Sequence, residues 1–257
     1  MTIGIISDIH GNLPALEAVL ADIDQRGIDM LFCLGDLVGY APWPNEVVAT
    51  VRRRGIPTIA GNYDEGVGLH SDDCGCAYKT DEDKARGSES IAYTNAVVTD
   101  DTRNYLRQLP RQMRLEFGTG HQKTGLLMVH GSPRKINEYL FEDRPDQSFH
   151  RIMADAQADI MLFGHTHKPF HKVLSHELEG RTAYRHAINT GSVGKPKDGD
   201  PRACYMMLRI GDHPDAVLPH NIDVEFIRVA YDVEQAARAV EESPLPDAFA
   251  QMLREAY

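Results

Sequence analysis

Positive charge is scarce in this chain: 27 lysines and arginines stand against 38 aspartates and glutamates, a formal net charge of −11. An acidic surface repels nucleic-acid backbone and anionic lipid, so an extended nucleic-acid surface and a membrane partner are both excluded as expectations. A small, locally positive site could still accept a phosphate. Cysteine is equally sparse, with four in 257 residues. Cys33 and Cys204 lie in apolar runs and read as buried thiols, while Cys74 and Cys76 share a polar loop. A zinc site would need further Cys or His partners and the nearest is His70, and a one-residue gap strains a disulfide, so two separate thiols are expected. Long apolar runs are missing too: none approaches the ~20 residues of a membrane span, and MTIGIISDIHGN turns polar too soon for a signal peptide. These absences predict a cytoplasmic protein. There is no low-complexity segment, fixed-period repeat or Pro/Gly/Ser-rich linker, so residues 1–257 read as one domain.

What is present is a rhythm of short apolar runs and helical periodicities. TIGIIS reads as a buried strand; Leu16, Val19, Leu20 and Ile23 are spaced for a helix from about Pro14 to Gly27; MLFCL is a second strand; a helix follows near Glu46–Arg53; and IPTIA reads as a third strand. That alternation predicts parallel strands flanked by helices. The stretch from Tyr63 to about Pro110 is polar, with helical patches near Glu82–Thr99 and Asp101–Leu109, and reads as an insertion covering one side of a crevice. Strands resume at MRLEF, GLLMV and DIMLF, with a helix near Asp146–Ala156. FHKVLS, TAYRHAIN, ACYMMLRI and VEFIRV then suggest a largely antiparallel second sheet, and helices near Val233–Glu242 and Pro246–Ala256 close the chain.

Five of these strands run into metal-binding side chains: Asp8 and His10, Asp36, Asn62, His130, and His165 and His167. Each pair alone reads as a turn residue beside a surface histidine. Five clusters at equivalent strand ends converge, because ligands of open α/β sheets bind at the carboxyl ends of the strands. Imidazole and carboxylate suit divalent Mn, Fe, Zn or Ni. The two oxygens of Asp36 can each face one ion, and Asn62 adds an amide oxygen without charge. Two carboxylates against two cations leave positive charge, which attracts a phosphate and lowers the pKa of a water toward neutral.

Asp8-Ile-His10-Gly-Asn, Gly35-Asp36, Gly61-Asn62-Tyr-Asp64, His130-Gly and Gly164-His165-Thr-His167, in that order, resemble the motifs of the calcineurin-like metallophosphoesterase family. Asn189-Thr-Gly-Ser-Val-Gly resembles a further motif of its small prokaryotic phosphodiesterase branch, extending the match to about Tyr205. The resemblance implies a four-layer α/β/β/α sandwich with two mixed sheets, a cap-like insertion at about 63–110, and a phosphoester hydrolase using a water activated by two divalent or trivalent ions, manganese among them. It implies that Asp8, His10 and His167 hold one ion, that Asn62, His130 and His165 hold the other, and that Asp36 bridges them. Where many members have a histidine after Gly-Asn, this chain has Tyr63. With a pKa near ~10, a tyrosine is a poor general acid at neutral pH; Tyr63 either hydrogen-bonds a phosphate oxygen or packs over the site. Asp36, Asn62 and Tyr63 are thus the catalytic candidates, and Asn62, Tyr63 and Arg134 the candidates for contacting a small phosphoester substrate.

Gly35-Asp36 continues Leu-Val-Gly rather than the Asp-Arg-Gly of protein serine/threonine phosphatases, which disfavours a phosphoprotein substrate. A binding scaffold that has lost catalysis is the alternative from another class, but such a scaffold tends to lack ligands and none is missing. A nuclease or dinucleotide polyphosphate hydrolase differs only in substrate. Lys195, Lys197 and Arg202 read as a solvated basic loop, with a phosphate contact as the alternative. Asn12 reads as a helix cap. The remaining histidines (His70, His121, His150, His171, His176, His186, His213 and His220) read as surface or hydrogen-bonded residues, with His70 the one the insertion could fold over the crevice.

Overall fold

A computed structural model describes residues 1–77, 80–119, 122–178, 180–211 and 217–257. His121 and His213 lie outside them. The first sheet has the order β2 (Met30–Cys33), β1 (Thr2–Ile6), β8 (Ala203–Ile210), β9 (Ile222–Val229), and the second has β3 (Gln112–Thr119), β4 (Gln122–Val129), β5 (Ile160–Phe163), β7 (Arg181–Asn189), β6 (Phe170–Leu178). Both are mixed. β1 pairs parallel to β2 and antiparallel to β8; β5 pairs parallel to both β4 and β7.

The period-2 alternation of strands explains the layers. Ile3 and Ile5 of β1 face Leu126 and Met128 of β4 and Ile160 and Leu162 of β5 in one core between the sheets. The alternate residue Ile6 faces outward under helices α1 (Leu13–Ile23) and α2 (Pro44–Arg53). Leu127, Val129, Met161 and Phe163 face the opposite way, onto Phe149 and Met153 of α6 (Asp146–Asp155). Helix, sheet, sheet, helix is the four-layer α/β/β/α arrangement. Near the chain's end α7 (Val233–Glu241) and α8 (Ala248–Glu255) pair through Ala237, Val240, Phe249 and Leu253. No helix among the described residues is long and apolar enough to cross a membrane.

Two expectations are corrected. IPTIA forms no strand: Pro57 lacks an N–H, and the segment makes only a single parallel bridge, Thr58 to Cys33. The strands after His167 do not build a sheet of their own. β6 and β7 extend the second sheet, whereas β8 and β9 cross back to complete the first. The inserted region holds α3 (Asn62–Gly68), α4 (Asp81–Val97) and α5 (Asp100–Gln108). The first of these begins at Asn62 itself. Its start is signalled by Asp64, whose carboxylate accepts from the Gly61 N–H at 3.0 Å. The other carboxylate oxygen accepts from Leu37 N at 2.9 Å, joining two site loops.

Candidate metal centre

The loops that follow β1, β2, β4 and β5 meet the start of α3, and seven side chains come together there. Asp8, His10, Asp36, Asn62, His130, His165 and His167 are each at most 3 % exposed. Asp8, His10 and His167 form one group with ligand atoms within 4.8 Å of one another; Asp36, His130 and His165 form a second. In the first, His167 Nε2 is 3.2 Å from both His10 Nε2 and Asp8 Oδ1. In the second, His130 Nε2 lies 3.1 Å from Asn62 Oδ1, 3.2 Å from His165 Nδ1 and 3.3 Å from Asp36 Oδ2. Donors each about 2.1 Å from one cation stand roughly 3.0–3.4 Å apart, so these spacings fit the edges of a coordination polyhedron.

Proton placement decides between hydrogen bonds and metal ligation. His10 Nδ1 bonds the Val38 carbonyl (3.0 Å), His130 Nδ1 the Leu34 carbonyl (2.9 Å), and His167 Nδ1 the Lys195 carbonyl. A carbonyl only accepts, so each Nδ1 carries a proton, and on His10 and His167, which burial keeps neutral, Nε2 presents a lone pair. The facing Nε2 atoms of His10 and His167 therefore oppose lone pairs, which a cation between them would relieve. His165 Nε2 is buried without a hydrogen-bond partner among the described residues. The donor set fits divalent cations.

Asp36 sits between the groups, its Oδ2 3.3 Å from His130 Nε2 and 3.6 Å from His10 Nε2. Its Oδ1 accepts from the Tyr63 N–H at 2.8 Å. One oxygen, rather than each of two, thus faces both groups. Close approach here requires Gly61, where a Cβ would lie 2.1 Å from Asp36 Oδ1. Asp8, His10, Asp36, His165 and His167 all have φ between 50° and 65°, the left-handed region that side chains rarely occupy. Such strain persists only where the surroundings impose it, and it clusters at functional sites.

The motif around Asn189 supplies part of that imposition. Asn189 Nδ2 donates to the Gly164 carbonyl (2.7 Å) and to Thr166 Oγ1 (3.0 Å), and Ser192 Oγ donates to the Asp8 carbonyl (2.8 Å). Asn12 caps α1 through Ala15 N (3.2 Å), as expected, and its amide also donates to the Gly194 carbonyl (2.9 Å). Asn62 is aimed by the polar loop: its Nδ2 donates to the Cys74 carbonyl (3.0 Å) and to Cys76 Sγ (3.3 Å). The Cys74 and Cys76 sulfurs are 3.1 Å apart, beyond the ~2.05 Å of a disulfide.

The electrostatics are those of a cation site. Burial by itself would raise the Asp8 carboxyl, but the imidazoles of His167, His130 and His10 outweigh it and hold Asp8 well below the usual carboxylate range. Burial opposes charge on His130 too, yet Asp36 and Asp8 push it up to about 10. Burial, with His130 adding to it, drops His165 to about 3; burial and Lys197 do the same to His167.

The other candidates divide. Tyr63 is brought to the site but is 1 % exposed, its ring edge-on to His10 at 5.5 Å and against Tyr40 at 4.8 Å. Arg134 is exposed and its guanidinium grips Glu138 (Nε to Oε2 3.0 Å). Arg202 pairs with Asp200, and His70 is exposed at the end of α3. Beside the metal ligands opens a cleft of about 410 Å³, lined in part by Tyr40, Tyr139, Lys195 and Lys197 and by Phe249 and Met252 of α8. Tyr139 lies 4.1 Å from the His165 ring and Tyr40 4.8 Å from that of His10. Sequence reasoning missed both tyrosines, and it predicted the helix α8 without placing it at the cleft. Tyr40 follows Gly39 in a motif loop, which is a usable signal; Tyr139 has none.

Comparison with known proteins agrees with this architecture. Residues 1–213 match the family model described as the calcineurin-like phosphoesterase superfamily domain. The chain is 35 % identical over 257 residues to the uncharacterized protein MJ0912 of Methanocaldococcus jannaschii, covering 95 % of this chain and 94 % of that one. It is 28 % identical over 207 residues to the phosphodiesterase YfcE of Escherichia coli, covering 79 % and 84 %. A crystal structure of a metallophosphoesterase from Sphaerobacter thermophilus superposes with a TM-score of 0.72 at 30 % identity, covering 100 % of this chain and 99 % of that one. With the motifs, the four layers and two clusters of buried metal-ligating groups in hand, the chain belongs to the calcineurin-like phosphoesterase superfamily.

Proposed function

We propose that this protein is a metal-dependent phosphodiesterase acting on small phosphoesters. The observation that carries the reading is the opposition of buried lone pairs at His10 and His167, next to a second group of the same kind sharing Asp36. Asp8, His10 and His167 would hold one ion and Asn62, His130 and His165 the other, with Asp36 between the two groups. Two divalent cations so held supply Lewis-acid stabilisation of phosphoryl charge and bring the pKa of a water toward neutrality. Manganese, iron, zinc and nickel all suit four imidazoles and three oxygen donors.

The chain's own groups do the rest. Asn62, held by the Cys74 carbonyl and Cys76 Sγ, presents its amide oxygen to the group of Asp36, His130 and His165, 3.1 Å from His130 Nε2. Lys197 lines the cleft and acts electrostatically on Asp8 and Asp36, so its ammonium draws an anion to the same place. Tyr63, packed under His10, is a poor proton donor to a leaving group. Diesters with good leaving groups, such as aryl esters, therefore react faster than alkyl ones. The net charge of −11 argues against long polynucleotides, and a cytoplasmic setting goes with the same reading.

The test is hydrolysis of bis(p-nitrophenyl) phosphate by chelated protein with each metal added back. The reading predicts activity that disappears on chelation and returns with a first-row divalent ion. Undiminished activity of the chelated protein, or none with any metal, contradicts it. Equal rates on matched aryl and alkyl diesters would remove the account of Tyr63.

A further inference from the structure

The cations of this acidic protein are mostly matched to carboxylates: Arg26 to Asp22, Arg209 to Asp223 and Glu225, Arg228 to Asp198, Arg254 to Glu234 and Glu241. Two lysines on the cleft wall break this habit. Lys195 is only 3 % exposed, and neither its ammonium nor that of Lys197 has a hydrogen-bond or ion-pair partner among the described residues. Lys195 Nζ lies 5.0 Å from the centre of the Tyr40 ring, whose face gives a cation weak support. Asp83 acts on Lys195 across the cleft, but it is engaged by Arg86 at 3.6 Å.

Burial, with Lys197 adding to it, pushes the Lys195 pKa well below that of an ordinary lysine, so the side chain holds a full positive charge best when an anion sits beside it. The two lysines are not equivalent. Lys197 acts on Asp8 and Asp36 and so faces the metal ligands. Lys195 has Lys197, Asp83 and Cys76 as its charged or titratable neighbours and sits against the Tyr40 ring. Between them the Tyr40 and Tyr139 rings flank the entrance to the metal ligands, and about 410 Å³ is room for one nucleotide-sized substituent.

We propose that Lys195 forms a second anion subsite, and that the substrates are diesters whose organic group carries both an aromatic or heteroaromatic ring and a second phosphate. This rests on the phosphodiesterase reading and adds to it: the scissile phosphate sits at the metal ligands with Lys197, the second phosphate at Lys195, and the ring against Tyr40 and Tyr139.

Two substrates that differ only in the second phosphate test this: thymidine 5′-(p-nitrophenyl phosphate) with and without a 3′-phosphate. In wild-type protein the 3′-phosphorylated ester is expected to have the higher kcat/KM by roughly ten- to a hundredfold, as for one charge-assisted contact. Lys195→Met keeps the buried stem and removes the ammonium, and should bring that ratio close to one; Lys195→Arg should keep part of it. Calorimetric titration with thymidine 3′,5′-bisphosphate and thymidine 5′-phosphate gives the same comparison without turnover. A wild-type ratio near one in both measurements, or a preference that survives Lys195→Met in a protein of unchanged melting temperature, overturns the subsite. Absence of any diester hydrolysis combined with a Lys195-dependent binding preference would instead overturn the phosphodiesterase reading and leave the subsite standing.

Discussion

His10 Nε2 and His167 Nε2 face each other across 3.2 Å, and on both rings the proton that would make this a hydrogen bond is held by Nδ1, against the carbonyls of Val38 and Lys195. Neither ring can relieve the repulsion by turning, because each is buried and anchored. The same holds for Asp8 Oδ1, which faces His167 Nε2 at 3.2 Å with no proton between them. A cation placed between these groups would remove the repulsion.

Metal should therefore stabilise the fold as well as activate it. At a concentration of about a thousand times Kd, one ion adds roughly 4 kcal/mol, which for a chain of this size raises the melting temperature by roughly 10 °C. Scanning calorimetry of chelated protein with and without added Mn²⁺ or Zn²⁺ checks this. A melting temperature indifferent to both ions would count against metal ligation by these side chains.

His165 separates a metal role from a packing role. It has φ of 65° and a buried ring nitrogen without a partner. Asparagine tolerates the left-handed region, so His165→Asn should leave the melting temperature of the chelated protein nearly unchanged. It should weaken metal binding at least ~10–100-fold and lower diesterase activity at subsaturating metal to match. Loss of stability in the chelated variant, with metal affinity retained, would show that the ring is there to pack.

Asp64 takes no part in ligation in this account, yet its carboxylate holds the Leu37 and Gly61 N–H groups together. Asp64→Ala leaves two buried donors unsatisfied, at about 1–3 kcal/mol each. Urea unfolding of the chelated protein should show a loss of about 2–5 kcal/mol. A change within about 0.5 kcal/mol would mean that the loops do not depend on this strap.

Away from the site, the half-buried His171 and the buried His186 form a relay that should make stability depend on pH. His186 Nε2 donates to the Val217 carbonyl (2.8 Å), leaving His186 Nδ1 to accept from His171 Nε2 at 2.9 Å. Burial and the neighbouring His186 lower His171 to about 4 from an ordinary 6.5. Between those values the unfolded chain binds a proton at His171 that the native protein does not. The contribution is present above pH 6.5 and is lost as pH falls toward 4. The melting temperature of His171→Gln should fall less steeply than wild type over that window; parallel curves would dismiss the relay.

The metal ligands were legible in the sequence because each follows an apolar run, and the end of a parallel strand is a defined place. The strands of the β1–β2 and β4–β5 pairs were legible for the same reason. What was not legible depends on contacts distant in the chain. Whether ACYMMLRI joins the first or the second sheet is decided by its pairing with β1, some two hundred residues earlier, and no local pattern encodes that. IPTIA has strand composition, but Pro57 removes a donor. Lys195 reads locally as one more basic residue in a turn. Only its burial beneath Tyr40, away from any carboxylate partner, distinguishes it from a solvated lysine.

The most direct test of the central claim is anomalous diffraction from crystals of the manganese-loaded protein, recorded at the manganese edge. The account predicts two peaks, one among Asp8, His10, His167 and Asp36 and the other among Asp36, Asn62, His130 and His165. A single peak, or peaks that leave His10 and His167 facing each other across an empty gap, would contradict it.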